Sequence, residues 1–70
     1  MKTLAVLGAS GHGKVIADTA ESLGYRCVFF DDGWPERTYD LPWPVTGNTD
    51  SLLKKSTEFS GVVVAIGNNT

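Results

Sequence analysis

The sequence contains one cysteine, Cys27, so no intrachain disulfide and no cysteine-based zinc cluster can form within it. That usage points to a reducing, cytoplasmic setting. His12 is the only histidine, which removes any metal site built from several histidines of this chain. Charge of either sign is sparse, and the basic residues Lys2, Lys14, Arg26, Arg37, Lys54 and Lys55 are scattered through a chain of net charge −2. No basic stripe of the kind that grips a nucleic-acid backbone is present, so nucleic acid is not an expected partner. No apolar run approaches the roughly 18 residues of a membrane span, and nothing near the amino terminus reads as a targeting segment. Internal repeats and low-complexity stretches are absent as well.

What remains is an ordinary globular composition, 41% hydrophobic and 20% charged with a mean hydropathy of −0.07. Seventy residues make one small domain, 1–70, and a domain of about 60 residues buries only roughly 60% of its unfolded surface. Its core is small.

The most informative stretch is Leu4-Ala5-Val6-Leu7-Gly8-Ala9-Ser10-Gly11-His12-Gly13-Lys14-Val15-Ile16, a short apolar strand that empties into three glycines and then a helix. Glycine leaves no Cβ between backbone and ligand, and the following helix aims unpaired N–H groups and a partial positive charge at an incoming anion. Thr3 to Leu7 reads as a strand covered on both faces. From Gly13 to Leu23 the residues Val15, Ile16, Thr19, Ala20 and Leu23 follow helical spacing and form the expected buried face, with Lys14, Asp18, Glu21 and Ser22 opposite. Gly24 stands where a left-handed C-terminal cap is wanted.

Arg26 to Phe30 reads as a second buried strand ending at Asp31-Asp32-Gly33. Gly33 to Gly47 holds all three prolines with Trp34, Tyr39 and Trp43, shows neither helical nor strand period, and reads as a loop whose tryptophans pack over the open face of the sheet. Asn48-Thr49-Asp50 caps a short helix from Asp50 to about Ser56. Val62-Val63-Val64-Ala65-Ile66 is then the clearest buried strand, running into Gly67-Asn68-Asn69. The order β-α-β-loop-α-β predicts an α/β fold, a Rossmann-like three-layer half-sheet of parallel strands, truncated relative to a full doubly wound domain. The chain reads as the amino-terminal portion of something longer.

In an open parallel sheet, ligands gather at the carboxyl ends of the strands. The candidate binding residues are therefore Gly8, Ser10, Gly11, His12, Gly13 and Lys14 after the first strand, Asp31 and Asp32 after the second, and Gly67, Asn68 and Asn69 after the third. Glycines and helix amides suit phosphate, the acids suit ribose hydroxyls or a base N–H, and His12 suits a hydrogen-bonding ligand contact. No residue is assigned a catalytic role and none a metal. The bland readings stay open beside these: a tight structural turn, a solvated lysine, a polar Asp-Asp-Gly turn, and an Asn-Asn turn. Cys27, in mid-strand, reads as buried and inert.

Gly8-Ala9-Ser10-Gly11-His12-Gly13-Lys14-Val15, then Phe30-Asp31-Asp32, then Ala65-Ile66-Gly67-Asn68-Asn69 together resemble the amino-terminal domain of the NeuD/PglD-type sugar acyltransferases, bacterial enzymes that acetylate sialic acids or UDP-4-amino-sugars in glycan biosynthesis. The resemblance spans essentially the whole chain. It implies a Rossmann-like domain that holds the nucleotide-sugar, with Gly11, His12 and Gly13 against it, Asp31 and Asp32 at the uridine end, and Gly67 with Asn68 closing the site. It also implies that acetyl transfer belongs to a second domain, a left-handed β-helix of hexapeptide repeats that binds acetyl-CoA between subunits of a homotrimer and supplies a histidine base. No hexapeptide repeat occurs here, so the expectation for this chain alone is substrate binding without transfer, as a monomer.

Two other classes compete. An NAD(P)- or flavin-binding redox domain could use the same loop and Asp31, but the glycine order G-x-x-G-x-G differs from the G-x-G-x-x-G dinucleotide fingerprint. A nucleotide-sensing module without catalysis would bind without reading the sugar.

Overall fold

The computed structural model describes residues 2–65. In chain order it contains β1 (Thr3–Leu7), α1 (Gly11–Ser22), β2 (Arg26–Phe30), α2 (Thr49–Lys55), a single 3-10 turn (Ser56–Glu58) and β3 (Gly61–Val64). The strands form one parallel sheet in the order β2-β1-β3. The first strand is thus central, and the chain leaves it toward one edge and returns toward the other. Right-handed crossovers taken in opposite directions put their helices on opposite faces, which gives three layers and a switch point at the carboxyl end of β1.

Register explains the two cores. Val6 lies beside Phe29 and Val63, while Ala5 and Leu7 lie beside Val28 and Phe30 on one side and Val62 and Val64 on the other. Paired residues share a face and alternate ones do not. On the α1 face Val6, Cys27 and Phe29 pack with Ala17, Ala20, Trp43 and Ala65; on the α2 face Ala5, Leu7 and Phe30 pack with Leu52 and the half-buried Phe59. Phe29 and Phe30 are almost wholly buried, and each such side chain contributes about 1.5–3 kcal/mol of burial free energy.

Helix α1 differs from the expected Gly13 to Leu23 in bounds and in face. Its buried residues are Gly13, Ala17 and Ala20, whereas Val15 is 63% and Leu23 71% exposed. At 3.6 residues per turn the true inner face lies about a quarter turn from the expected one. The cause is close approach: a Cβ on Gly13 would meet the backbone oxygen of Gly8 and come within 3.1 Å of the Phe29 ring. The sheet face is already filled by Phe29 and Trp43, so only a stripe of small residues fits against it. Gly24 caps the helix at φ +93°, as expected.

Strand β3 also departs from its expected burial. Its burial alternates, and Val62 and Val64 are 44% and 64% exposed. Both lie on the α2 face, where Leu52 of α2 packs on Ala5, Leu7 and Phe30 of the two other strands and leaves β3 uncovered.

The segment after β2 is more ordered than its lack of period predicts. Phe29 donates to the Pro44 carbonyl (3.0 Å), Thr46 donates to the Phe29 carbonyl (3.0 Å), and Asp31 donates to the Gly47 carbonyl (2.9 Å). Phe29 and Val45 form a parallel bridge. This return passage pairs with the outer edge of β2 at its carboxyl end and satisfies the hydrogen-bonding groups of Phe29 and the Asp31 N–H. Trp43 is buried against Phe29, with ring centroids 5.5 Å apart, and its indole N–H donates to Glu21 of α1 at 2.6 Å. Trp34 is only half-buried, and the Trp34–Pro35 peptide is cis.

Candidate functional site

The loop between β1 and α1 turns at Gly8, whose φ of +114° is open to glycine at little strain. Its N–H donates to the Phe30 carbonyl at 2.7 Å, which extends the ladder one residue beyond the strand. Ser10 then takes the extended N-cap conformation, yet its side chain makes no cap bond. Instead its hydroxyl donates to the Ala65 carbonyl at 3.3 Å, tying the β1 tip to the end of β3. The first turn of α1 carries no acidic residue. Its opening N–H groups have no intrahelical partner, as at every helix start.

A cavity of about 250 Å³ opens at this end of the sheet. One wall is Ala9, Ser10, Gly11 and Lys14; the other is the stretch Arg37 to Leu41 from the loop after β2. Of the candidate residues, the structure therefore brings Ser10, Gly11 and Lys14 to one concave surface. Gly8 is buried beneath it, Gly13 serves helix packing, and His12 is exposed in the first turn of α1 and does not line it. Gly67, Asn68 and Asn69 lie outside the described residues.

Asp31 joins the two walls from behind. One carboxylate oxygen accepts from the Ala9 N–H at 3.0 Å; the other accepts from the Gly33 N–H at 3.0 Å and the Tyr39 hydroxyl at 2.7 Å. Burial works to raise its pKa, but these three bonds and the nearby Arg37 charge outweigh it and hold the carboxyl below its ordinary value. The Tyr39 phenol is pushed up to about 12, by partial burial first and then by the bond to the Asp31 carboxylate and its charge. Asp32 points elsewhere. Its carboxylate accepts from the Thr49 N–H at 3.2 Å and the Thr49 hydroxyl at 2.5 Å, at the start of α2. Asn48 caps the same helix by accepting from the Ser51 N–H at 3.0 Å.

Cys27 is buried, its thiol directed at the Ala17 carbonyl (3.7 Å), and burial raises its pKa, followed by the charge of Glu21. It takes no part in the cavity. Sequence reasoning missed the second wall, Arg37 to Leu41. The density of aromatics and prolines in that loop marks it as packed, but nothing in it singles out Arg37 or Tyr39.

A parallel β2-β1-β3 sheet with helices on both faces and a cavity at its switch point defines a small Rossmann-like α/β unit among the described residues. The family model described as PglD N-terminal domain matches residues 3–70, and the chain belongs to that family, the amino-terminal domain of sugar acetyltransferases. No curated protein matches the chain. No solved structure matches it either. Among the described residues, no helix is long and apolar enough to cross a membrane.

Proposed function

We propose that this chain is the substrate-holding amino-terminal domain of a bacterial sugar acetyltransferase, and that its ligand is a nucleotide-sugar, a UDP-amino-sugar or an activated sialic acid. The observation that carries the reading is the cavity at the β1 tip, where the start of α1 and Lys14 face Arg37 across a space of about 250 Å³. Such a space takes the phosphate-bearing part of a nucleotide, with the remainder lying along the strand tips. The family match supports the acetyltransferase assignment.

On this reading the domain positions the sugar and transfers nothing. Acetyl-CoA and the general base belong to a hexapeptide-repeat domain outside this chain, assembled as a homotrimer in the cytoplasm. The test is calorimetric titration with UDP, a UDP-amino-sugar, CMP-sialic acid and NAD in parallel. Selective heat with a UDP-sugar is the expected result and points to N-acetylation. Binding of NAD alone overturns the reading in favour of a redox domain.

A further inference from the structure

The wall that the sequence left without a role carries a second cation, and its geometry shows how that cation is held. The backbone N–H of Arg37 donates to the Gly33 carbonyl at 2.9 Å, and the guanidinium carbon sits 5.8 Å from the centroid of the Tyr39 ring. The Arg37 stem occupies the space a side chain at position 33 would fill: a Cβ on Gly33 would lie 2.9 Å from Arg37 Cδ and 2.9 Å from the Tyr39 hydroxyl. Tyr39 is in turn fixed by its 2.7 Å bond to Asp31. Both carboxylate oxygens of Asp31 already accept protein donors.

We infer that Arg37 is an anion-binding residue of the cavity, gripping a phosphate group of the ligand from the wall opposite Lys14, and that Asp31 and Tyr39 act as its positioning residues. This rests on the nucleotide-sugar reading above. Lys14 and Arg37 line the cavity with the carboxylate of Asp40, while the Asp31 carboxylate behind it has both oxygens taken by protein donors, so the two cations are lining groups left to meet an anion. A guanidinium presents a planar fork of donors that matches phosphate oxygens in pairs, while an ammonium offers a point charge; one of each, on facing walls, suits a diphosphate bridged between them. The cation–π contact and the packing on Gly33 reduce the rotamer freedom that a long side chain would otherwise lose on binding. The link from Asp31 through Tyr39 to Arg37 assigns this acid an indirect role at the site.

The experiment compares uridine with UDP by calorimetry on the 70-residue chain and on Arg37→Gln, Arg37→Lys and Tyr39→Phe, with far-UV circular dichroism to check folding. Wild type is expected to prefer UDP over uridine. Arg37→Gln is expected to weaken UDP about ten-fold and leave uridine unchanged, with Arg37→Lys, which keeps the charge but not the fork, and Tyr39→Phe each losing part of the preference. Equal weakening of uridine and UDP in Arg37→Gln, or none of either, overturns the inference while the nucleotide reading stands. If wild type takes neither uridine nor UDP, the nucleotide reading falls, and inorganic pyrophosphate still judges Arg37. Binding to wild type about ten-fold tighter than to Arg37→Gln upholds its role, and equal or absent binding overturns it.

Discussion

Tyr39 donates a 2.7 Å hydrogen bond to Asp31, eight residues earlier in the chain, and this contact ties the middle of the loop after β2 to the tip of the sheet. The carboxylate that receives it also receives the Ala9 N–H from the loop after β1. A single acid therefore bridges the two cavity walls.

The pair predicts a stability profile with two limbs. Asp31 has a folded-state pKa below its ordinary value, so its contribution is complete above the unfolded carboxyl pKa of about 4 and is lost as pH falls through the depressed value. Tyr39 is raised, so its contribution is complete below the unfolded phenol value of about 10. That contribution is lost as pH rises through about 12. Urea unfolding across pH is expected to show both slopes in wild type and to lose the alkaline one in Tyr39→Phe. Tyrosinate absorbance should register one phenol near 12, brought down in Asp31→Asn. A Tyr39 that titrates at its ordinary value would remove the pair from the account.

Trp43→Phe is expected to cost about 1–2 kcal/mol, because the ring still packs on Phe29 but the indole N–H no longer reaches Glu21. Glu21→Gln should cost less. Glu21 is exposed, and its amide oxygen would still accept. Denaturant titrations of the two variants give the comparison, and equal losses would mean that the bond depends on the carboxylate charge, which the amide lacks.

The parts of the fold that were legible in the sequence are those fixed by local chemistry. The three-glycine loop, the Gly24 cap, the β2 apolar run and the Asn48 cap each announce themselves within a few residues. The inner face of α1 was not legible. Val15 and Leu23 are more apolar than Gly13 and Ala17, yet the helix turns its small residues inward because Phe29 and Trp43, distant in sequence, already occupy the sheet face. Burial of β3 was misjudged for a related reason, since a β-branched run reports strand propensity and is silent about where the neighbouring helix lies.

The site divides the same way. Ser10, Gly11 and Lys14 were visible from the strand-loop-helix pattern, whereas Arg37 and Tyr39 reach the cavity through a loop whose course depends on long-range bonds to Phe29 and Asp31. The roles given to Asp31 and Asp32 illustrate the limit. Their side chains diverge, one to the cavity walls and one to α2, which an Asp-Asp pair in an extended segment foreshadows without saying which goes where.

Val64→Thr tests the assignment of the β3 face. Its side chain is 64% exposed, so the change should shift stability by no more than about 0.5 kcal/mol. Val6→Thr places the same hydroxyl in a fully buried position and should cost about 1–3 kcal/mol. Similar losses in urea unfolding would mean that β3 is covered after all.

The two glycines that flank His12 separate folding from binding. Nothing lies within 4 Å of a Cβ built on Gly11, and the residue lines the cavity, so Gly11→Val should leave the far-UV circular dichroism intact while its branched side chain fills the space and abolishes ligand binding. At Gly13 a Cβ would strike the Gly8 backbone oxygen and approach Val6 Cγ1 to 3.4 Å. A backbone oxygen cannot step aside as a flexible side chain does, so Gly13→Ala must push α1 off the sheet, at about 1–3 kcal/mol. Thermal unfolding and UDP titration of both variants, side by side, decide the matter. Gly11→Val with normal affinity would remove the cavity from the binding site, and Gly13→Ala with wild-type stability would mean that α1 does not sit as close to β1 as its buried glycine requires.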